Sequence, residues 1–242
     1  MPNRFLPLAG LVVVGLVAAS CSSGSSSGTS GSPAAASLLT TTQTAVQKAG
    51  SVSFVDVTTI GKRSETLTGK VGSVQAEEIL TVAKSPVLQV RLIGTTVYIE
   101  TSASSVLQSA LGLTATQAAG AVNEWIELLP TDSPTASIAQ SLTINAALNI
   151  YYPKSSSAVE LPEKTIAGFT VIPLTSNSNP NKTTTETTTL FIQKSNNLPA
   201  AASLLAVSGK TTEKKEAVFK SWGQPVTVTA PANPVLFSTL KG

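Results

Sequence analysis

Histidine is absent from this chain of 242 residues, and cysteine occurs once, at Cys21. Without histidine the chain lacks the commonest metal ligand and neutral-pH base, and a Ser-His-Asp triad is impossible. One cysteine also excludes a Cys/His metal cluster. Charged residues make up 12 % of the chain and aromatic residues 5 %. We therefore expect a protein that is not an enzyme and that carries no metal or cofactor.

The charge balance is also slight. The net charge of +3 includes Arg4, which precedes the first apolar run, and no basic run with interleaved aromatic residues follows. A charge this small does not indicate a nucleic-acid partner. Hydrophobic residues make up 42 %, which is enough for a sizeable core in a globular chain.

Cys21 closes the segment that predicts where the protein resides. One positive charge, an apolar run over 5–19 and small residues before Cys21 describe a secretory signal peptide. The cysteine after these small residues resembles the lipobox of bacterial lipoproteins, which implies attachment of a diacylglyceryl group and cleavage before Cys21. The alternatives are an uncleaved membrane anchor and a free thiol, but the run is shorter than the roughly 20 residues that span a bilayer.

The segments on either side of this cysteine suggest three parts. We predict a signal peptide at 1–20, a lipidated cysteine with a flexible Ser/Gly tether at 21–36, and a single domain at 37–242. The tether would hold the domain against the extracytoplasmic face of the cell membrane. We expect a monomer.

Periodicity divides the domain into two groups of strands around a helical block. Strands are predicted at 51–60, 64–71, 74–82, 86–93, 96–101, 125–128, 165–174, 184–193, 198–207 and 211–219, with a turn at 177–181. Helices are predicted at 37–49, 104–111 and 135–149, with a helical turn at 116–122. Short links make consecutive strands antiparallel, so the order indicates an α+β fold with helices on one face of an antiparallel sheet.

Several segments together resemble a known family. They are the lipobox at Cys21 with its tether, Ser51-Val52-Ser53-Phe54, Gly94-Thr95-Thr96-Val97-Tyr98, Trp125 and Phe219-Lys220-Ser221-Trp222-Gly223-Gln224-Pro225-Val226. In this order they resemble the mycobacterial LppX/LprG-type lipoproteins, which share a fold with the LolA/LolB-like carriers. The resemblance implies a strongly curved antiparallel half-barrel with helices on its concave face.

The resemblance also implies a function. In such proteins an apolar cavity between sheet and helices binds acyl lipids or glycolipids and carries them across the cell envelope. The implied partners are that lipid, the membrane through the anchor, and an envelope transporter as a candidate. Alternation and helix faces give the predicted lining residues, namely Leu88, Val90, Leu92, Val97, Ile99, Leu107, Leu111, Ile138, Leu142, Phe169, Val171 and Phe191.

Other interpretations of the same residues stay open. Each predicted lining residue is also a candidate for ordinary core, since burial is the usual fate of apolar side chains. The chain as a whole could be an envelope adaptor with a filled core that binds another protein. A hydrolase using two carboxylates is the third alternative. The charged runs Glu77-Glu78, Lys214-Lys215-Glu216 and Lys62-Arg63 are interpreted as solvated strand ends or turns.

Overall fold

The computed structural model describes residues 32–241. The predicted signal peptide, the predicted lipidation at Cys21 and the tether up to residue 31 lie outside the described residues. The strands are β1 (Val52–Ile60), β2 (Arg63–Val71), β3 (Gln75–Val82), β4 (Ser85–Ile93), β5 (Thr96–Thr101), β6 (Ile126–Leu128), β7 (Val159–Glu160), β8 (Lys164–Ile166), β9 (Phe169–Asn181), β10 (Thr184–Gln193), β11 (Pro199–Ser208), β12 (Thr211–Lys220) and β13 (Val235–Leu236). The helices are α1 (Pro33–Ala49), α2 (Ser104–Leu111), α3 (Ala115–Gly120), α4 (Thr135–Ser141), α5 (Ile144–Leu148) and α6 (Phe237–Lys241), with 3₁₀ turns at Asn149–Tyr151 and Ser155–Ser157.

All thirteen strands belong to one open sheet. Its order is β13-β6-β5-β4-β3-β2-β1-β12-β11-β10-β9-β7, and β8 adds a hairpin to β9. Every pairing is antiparallel except that of β13 with β6. The predicted α+β fold, a large antiparallel sheet with helices on one face, is confirmed.

The first helix is longer than predicted. It begins at Pro33 rather than at 37, so residues 33–36 belong to the helix and not to the tether. Ser32 caps it by accepting a hydrogen bond from the Ala35 amide, and proline at the first helical position already has a suitable φ. The helix ends at Gly50, whose φ of 70° suits a left-handed cap.

The helix predicted at 135–149 is two helices. Leu142 departs from helical geometry, and Thr143 begins α5 by accepting a hydrogen bond from the Ala146 amide. A threonine side chain that competes for backbone groups favours such a break. The apolar periodicity continues across the break and therefore conceals it.

The turn predicted at 177–181 is strand. Asn177 accepts a hydrogen bond from the Thr187 hydroxyl, and Ser178 donates one to Glu186, so these polar residues hold β9 against β10. The chain turns instead at 182–183. Asparagine and serine residues favour turns, but here their side chains form hydrogen bonds to the neighbouring strand β10, so the prediction of a turn was wrong.

The sheet has two chemically different faces. We call the inner face the one that carries Val52, Phe54 and Asp56 of β1, since these residues lie against the helices. One hydrophobic core contains inner-face residues of β1 to β6 and β9 to β12 together with buried residues of every helix. The sheet therefore bends around the helices as the half-barrel prediction requires.

A C-terminal segment crosses the opposite, outer face. We call residues 224–232 the strap. The Lys70 ammonium donates to the Thr227 carbonyl at 3.0 Å, and the Arg91 guanidinium donates to the Thr229 carbonyl at 3.1 Å. The Val228 amide donates to the Gln75 side chain at 2.8 Å. The strap then leads into β13, which closes the sheet edge beside β6.

Candidate functional site

The inner face consists of apolar rows that run across neighbouring strands. Because strand residues alternate between faces, partners in register share a face. The first row comprises Leu128, Val97, Leu92, Ala76, Val71 and Val52. The second comprises Ile126, Ile99, Val90, Glu78, Gly69, Phe54 and Phe219. The third comprises Thr101, Leu88, Leu80, Leu67, Asp56, Ala217, Ala202, Leu190 and Leu174.

Most of the predicted lining residues meet in this core. The lining residues from β4 and β5 lie on the inner face. Those from α2, those from α4 and Leu142 at the end of α4 lie on the helices that cover this face. Their exposed fractions range from 0 to 8 %, so they are buried together. These residues are Leu88, Val90, Leu92, Val97, Ile99, Leu107, Leu111, Ile138 and Leu142.

The three residues predicted from the later strands lie on the outer face. Phe191 pairs with Pro173, and Val171 pairs with Gln193, whereas the core side of these strands carries Leu174 and Leu190. The prediction of Phe169, Val171 and Phe191 as lining residues is therefore wrong in its choice of face. Phe169 is 46 % exposed, and the Lys164 ammonium lies 4.3 Å from the centre of the Phe191 ring. Alternation failed here because apolar residues occupy both faces of β9 and β10.

Three leucines that the sequence did not single out border the accessible end of the inner face. Leu67, Leu80 and Leu204 are half-buried and pack against the core. Leu67 and Leu80 stand in strands rich in Thr and Glu, and Leu204 stands next to Leu205 in a longer apolar run, so composition does not single them out. Strand register places all three on the inner face, because Leu67 and Leu80 are direct partners beside Leu88 and Leu204 lies two residues from Ala202.

The sheet rim beyond these leucines is charged. The next inner-face positions hold Arg63 and Glu65, whose side chains are 3.3 Å apart, and Lys215 with Glu213 at 3.2 Å. Ile60 lies between them and is 40 % exposed. The inner face thus passes from a polar rim through half-buried leucines to a buried core. We call this surface the groove.

Asp56 brings a carboxyl group into the third row of the groove. The Tyr151 hydroxyl donates to Asp56 Oδ2 at 2.7 Å, and both side chains are buried. The Tyr151 ring stands edge-on to Phe219, with centroids 6.2 Å apart. This contact fixes the 3₁₀ turn Asn149–Tyr151 over the middle of the sheet. The neighbouring Tyr152 is half-buried, and burial raises its pKa to about 12, so its hydroxyl stays protonated at neutral pH.

Glu78 brings a second carboxyl group to the inner face. It is 1 % exposed, so its interpretation as a solvated residue is wrong. Its register partners are Gly69 and Val90, and the Phe54 ring lies over Gly69. Glu77 points to the outer face, where it pairs with Lys70 and Arg91. The two adjacent glutamates therefore cannot share one site, as alternation predicts.

A small open pocket lies at the other end of β1. Its volume is about 250 Å³, and its walls come from the end of α1, the β2–β3 turn and the strap. It has no charged residue in its wall and stands apart from the groove. Within residues 32–241 no group of three or more His, Cys, Asp or Glu side chains could hold a metal ion.

Comparison with solved structures identifies the fold. LprF from Mycobacterium bovis is 14 % identical, with a TM-score of 0.53 over 84 % of this chain and 100 % of LprF. The Mycobacterium tuberculosis lipoprotein LppX is 13 % identical, with a TM-score of 0.50 over 81 % of this chain and 99 % of LppX. The chain thus has the fold of these mycobacterial lipoproteins, and the predicted LppX/LprG-type resemblance is confirmed for the fold.

Sequence comparisons add no closer relationship. No protein-family model matches the chain, and no curated protein matches it. Among the described residues, no helix is both long and apolar enough to cross a membrane.

Proposed function

We propose that this protein is a membrane-anchored lipoprotein that binds acyl lipids or glycolipids in the groove and carries them across the cell envelope. The observation that supports this most strongly is the apolar inner face itself. It extends over many strands, yet it stays partly accessible at Leu67, Leu80 and Leu204. Exposed apolar surface of this kind in a concave position suits a ligand with long hydrocarbon chains.

The energetics favour acyl chains as the ligand. A chain that buries roughly ten methylenes gains about 8 kcal/mol, at about 0.8 kcal/mol each. Besides α1, the layer opposite the sheet contains four short helices, α2 to α5, none longer than the eight residues of α2. Helices this short depend on packing for their stability. They can therefore shift outward when chains enter between them and the sheet.

The proposed function includes a lipid anchor at the N-terminal side of the domain. Lipidation at Cys21 after removal of 1–20 would tether the domain to the extracytoplasmic face of the cell membrane, with α1 beginning twelve residues later at Pro33. A Ser/Gly-rich coil of this length would reach on the order of 20 Å. The groove could then receive a lipid near the bilayer and deliver it to a partner in the envelope.

A second candidate function is an adaptor that binds another protein through the outer face. Leu205, Val207 and Val218 of the β11–β12 hairpin are 42, 39 and 50 % exposed. All three lie on the side opposite the groove, and the exposed Lys214–Glu216 ion pair lies between Leu205 and Val218. Exposed apolar side chains beside charged ones suit a protein partner and would not need a lipid.

Native mass spectrometry of the purified protein separates the two functions. The lipid carrier should show discrete mass additions that solvent extraction recovers as acyl lipids or glycolipids. A single unliganded mass, with no addition after incubation with acyl lipids, would contradict the carrier and leave the adaptor as the better explanation.

A further inference from the structure

Four two-residue hairpin turns lie at the open end of the groove. They join β1 to β2, β3 to β4, β9 to β10 and β11 to β12, which are eight neighbouring strands of the sheet. Register places all four turns at one end of the sheet. The pairs that join neighbouring hairpins there are Glu65 with Val82, Ile60 with Glu213 and Thr184 with Ser208. We call these four turns the tips.

Each tip carries one lysine and no acidic residue. The tip lysines are Lys62, Lys84, Lys182 and Lys210, and all four are exposed. None of them takes part in an ion pair within residues 32–241. The other basic residues at this end, Arg63, Lys214 and Lys215, already pair with glutamates of their own strands. The tips therefore present four positive charges that no ion pair of the described domain neutralises.

The turns at the other end of the sheet have a different charge. The β2–β3 turn at 72–74 and the β4–β5 turn at 94–95 contain no charged residue, and Lys194 after β10 pairs with Glu163 at 2.6 Å. Lysines that serve only to solvate turns would be expected at both ends. Successive tips are two strands apart, which is roughly 10 Å at the usual strand spacing. This is close to the Debye length of about 8 Å at physiological salt, so the fields of neighbouring tips overlap.

The N-terminal chain enters the domain near the tips, which is the second observation. The Ser32 amide donates to the Ala158 carbonyl at 3.1 Å, and Oγ of the preceding Ser157 lies 3.5 Å from the Asn177 carbonyl oxygen of β9. Asn177 is in register with Thr59, the last residue but one of β1, through Thr187, Leu205 and Lys214. From there α1 runs away from the tips to the start of β1. An anchor at Cys21 would therefore hold the tip end close to the membrane.

We propose that the four tips dock on anionic lipid head groups of the membrane surface, so that the groove opens towards the bilayer. Lysines attract a negatively charged membrane surface when they lie within a Debye length of it. Ile60 and the half-buried Leu67 and Leu80 lie just inside the tips, where a lipid would enter. The inference rests on the proposed membrane anchor and adds an orientation to it, but it does not depend on lipid uptake by the groove.

The test measures which lysines a membrane shields. The full chain, as its host processes it, is inserted from detergent into preformed vesicles of dioleoylphosphatidylcholine alone or of an equal mixture with dioleoylphosphatidylglycerol. A membrane-impermeant reagent then acetylates lysine amines, and mass spectrometry gives the reaction rate at each position. Because each lysine near an anionic surface strengthens binding by about fivefold, we expect the tip amines to react at least about fivefold more slowly on the anionic vesicles. Molar salt should remove most of this difference.

Two exposed lysines at the opposite end of the sheet are the internal control. Lys194 follows β10 and Lys220 ends β12, so both lie far from the tips along the strands. Their amines should react equally fast on both kinds of vesicle. A general effect of anionic lipid on the reagent would instead slow the reaction at every lysine.

A pair of variants tests whether the tip charges cause the shielding. Lys62→Gln combined with Lys210→Gln removes the two central charges, and the two remaining tip lysines should then lose most of their protection. Lys194→Gln combined with Lys220→Gln removes the same charge from the opposite end and should leave all four tips protected. All four positions are exposed, so neither variant disturbs the core.

Two results would overturn the docking inference while the anchor persists. They are equal labelling of the tips on both kinds of vesicle, which an acidic protein as the true partner would also give, and protection that survives the loss of both central lysines. Protein that sediments with neither kind of vesicle would instead overturn the proposed anchor, and this inference with it. The comparison of vesicles with the wild-type protein needs no variant to fold.

Discussion

Gly69 occupies a position in β2 where no side chain fits. It pairs with Phe54, whose ring lies over it on the inner face. A Cβ atom at Gly69 would lie 2.3 Å from the ring, which is far inside van der Waals contact. Because Phe54 is 2 % exposed, the ring has little room to move away. The glycine thus allows a large aromatic ring to fill the middle of the core.

Gly69→Ala should therefore destabilise the protein. We expect the free energy of unfolding to fall by about 1 to 3 kcal/mol, the usual cost of overpacking a core. Urea unfolding followed by tryptophan fluorescence measures it. Gly120→Ala is the control, because a Cβ at the end of α3 meets nothing within 4 Å. Equal unfolding midpoints for the Gly69 variant and the wild type would contradict this packing.

At the residue scale, sequence reasoning found the apolar part of the groove and missed its polar part. Leu92 and Val97 follow a clear alternation, and burial was the expected result. Glu78 stands next to Glu77, and alternation places the two on opposite faces, but only register shows that Glu78 is the one on the buried inner face. Asp56 breaks the apolar alternation of β1, and only its contact with distant Tyr151 explains why it is buried.

At the scale of elements, the strap is held to the outer face by few side-chain contacts, and Arg91 makes one of them. Its guanidinium contacts Glu77 at 2.7 Å and the Thr229 carbonyl at 3.1 Å, and it lies 4.5 Å from the centre of the Trp125 ring. One arginine therefore links the outer face of β4, the strap and the loop before β6.

Arg91→Ala should loosen the strap without unfolding the sheet. We expect hydrogen exchange in 224–232 to accelerate by about fivefold to tenfold, because local opening is governed by the contacts that hold the segment. Exchange followed by mass spectrometry measures this, and exchange in β10 and β11 should stay as in the wild type. Arg63→Ala removes an ion pair at the rim and should leave the strap protected. Unchanged exchange in the Arg91 variant would show that the strap is held by other contacts.

The elements themselves were largely predictable where local signals agree. The predicted strands at 86–93 and 96–101 match β4 and β5 within a residue, because Gly94 provides the left-handed turn residue, with a φ of 63°. Prediction failed where a side chain bonds to a partner distant in sequence or caps a helix. Thr143 divides one predicted helix, and Asn177 keeps a predicted turn in the sheet. Such bonds depend on the fold and leave little trace in the periodicity.

At the scale of the whole molecule, the sheet is wide and open, and only one face is covered by helices. An open sheet with a partly accessible apolar interior is poorly explained by stability alone, since exposed apolar surface costs free energy. A hydrocarbon ligand that occupies this interior would remove that cost. The structure therefore connects the half-buried leucines at the open end with the proposed uptake of lipid.

Photocrosslinking with a lipid that carries a diazirine in its acyl chain tests this claim most directly. The loaded protein is irradiated and digested, and the labelled residues are identified by mass spectrometry. We predict labels on the inner face, at Leu67, Leu80 and Leu204 and on the helices that face them. Labels confined to the outer face, around Leu205 and Val218, or no labelling at all would contradict the proposal that acyl chains bind in the groove.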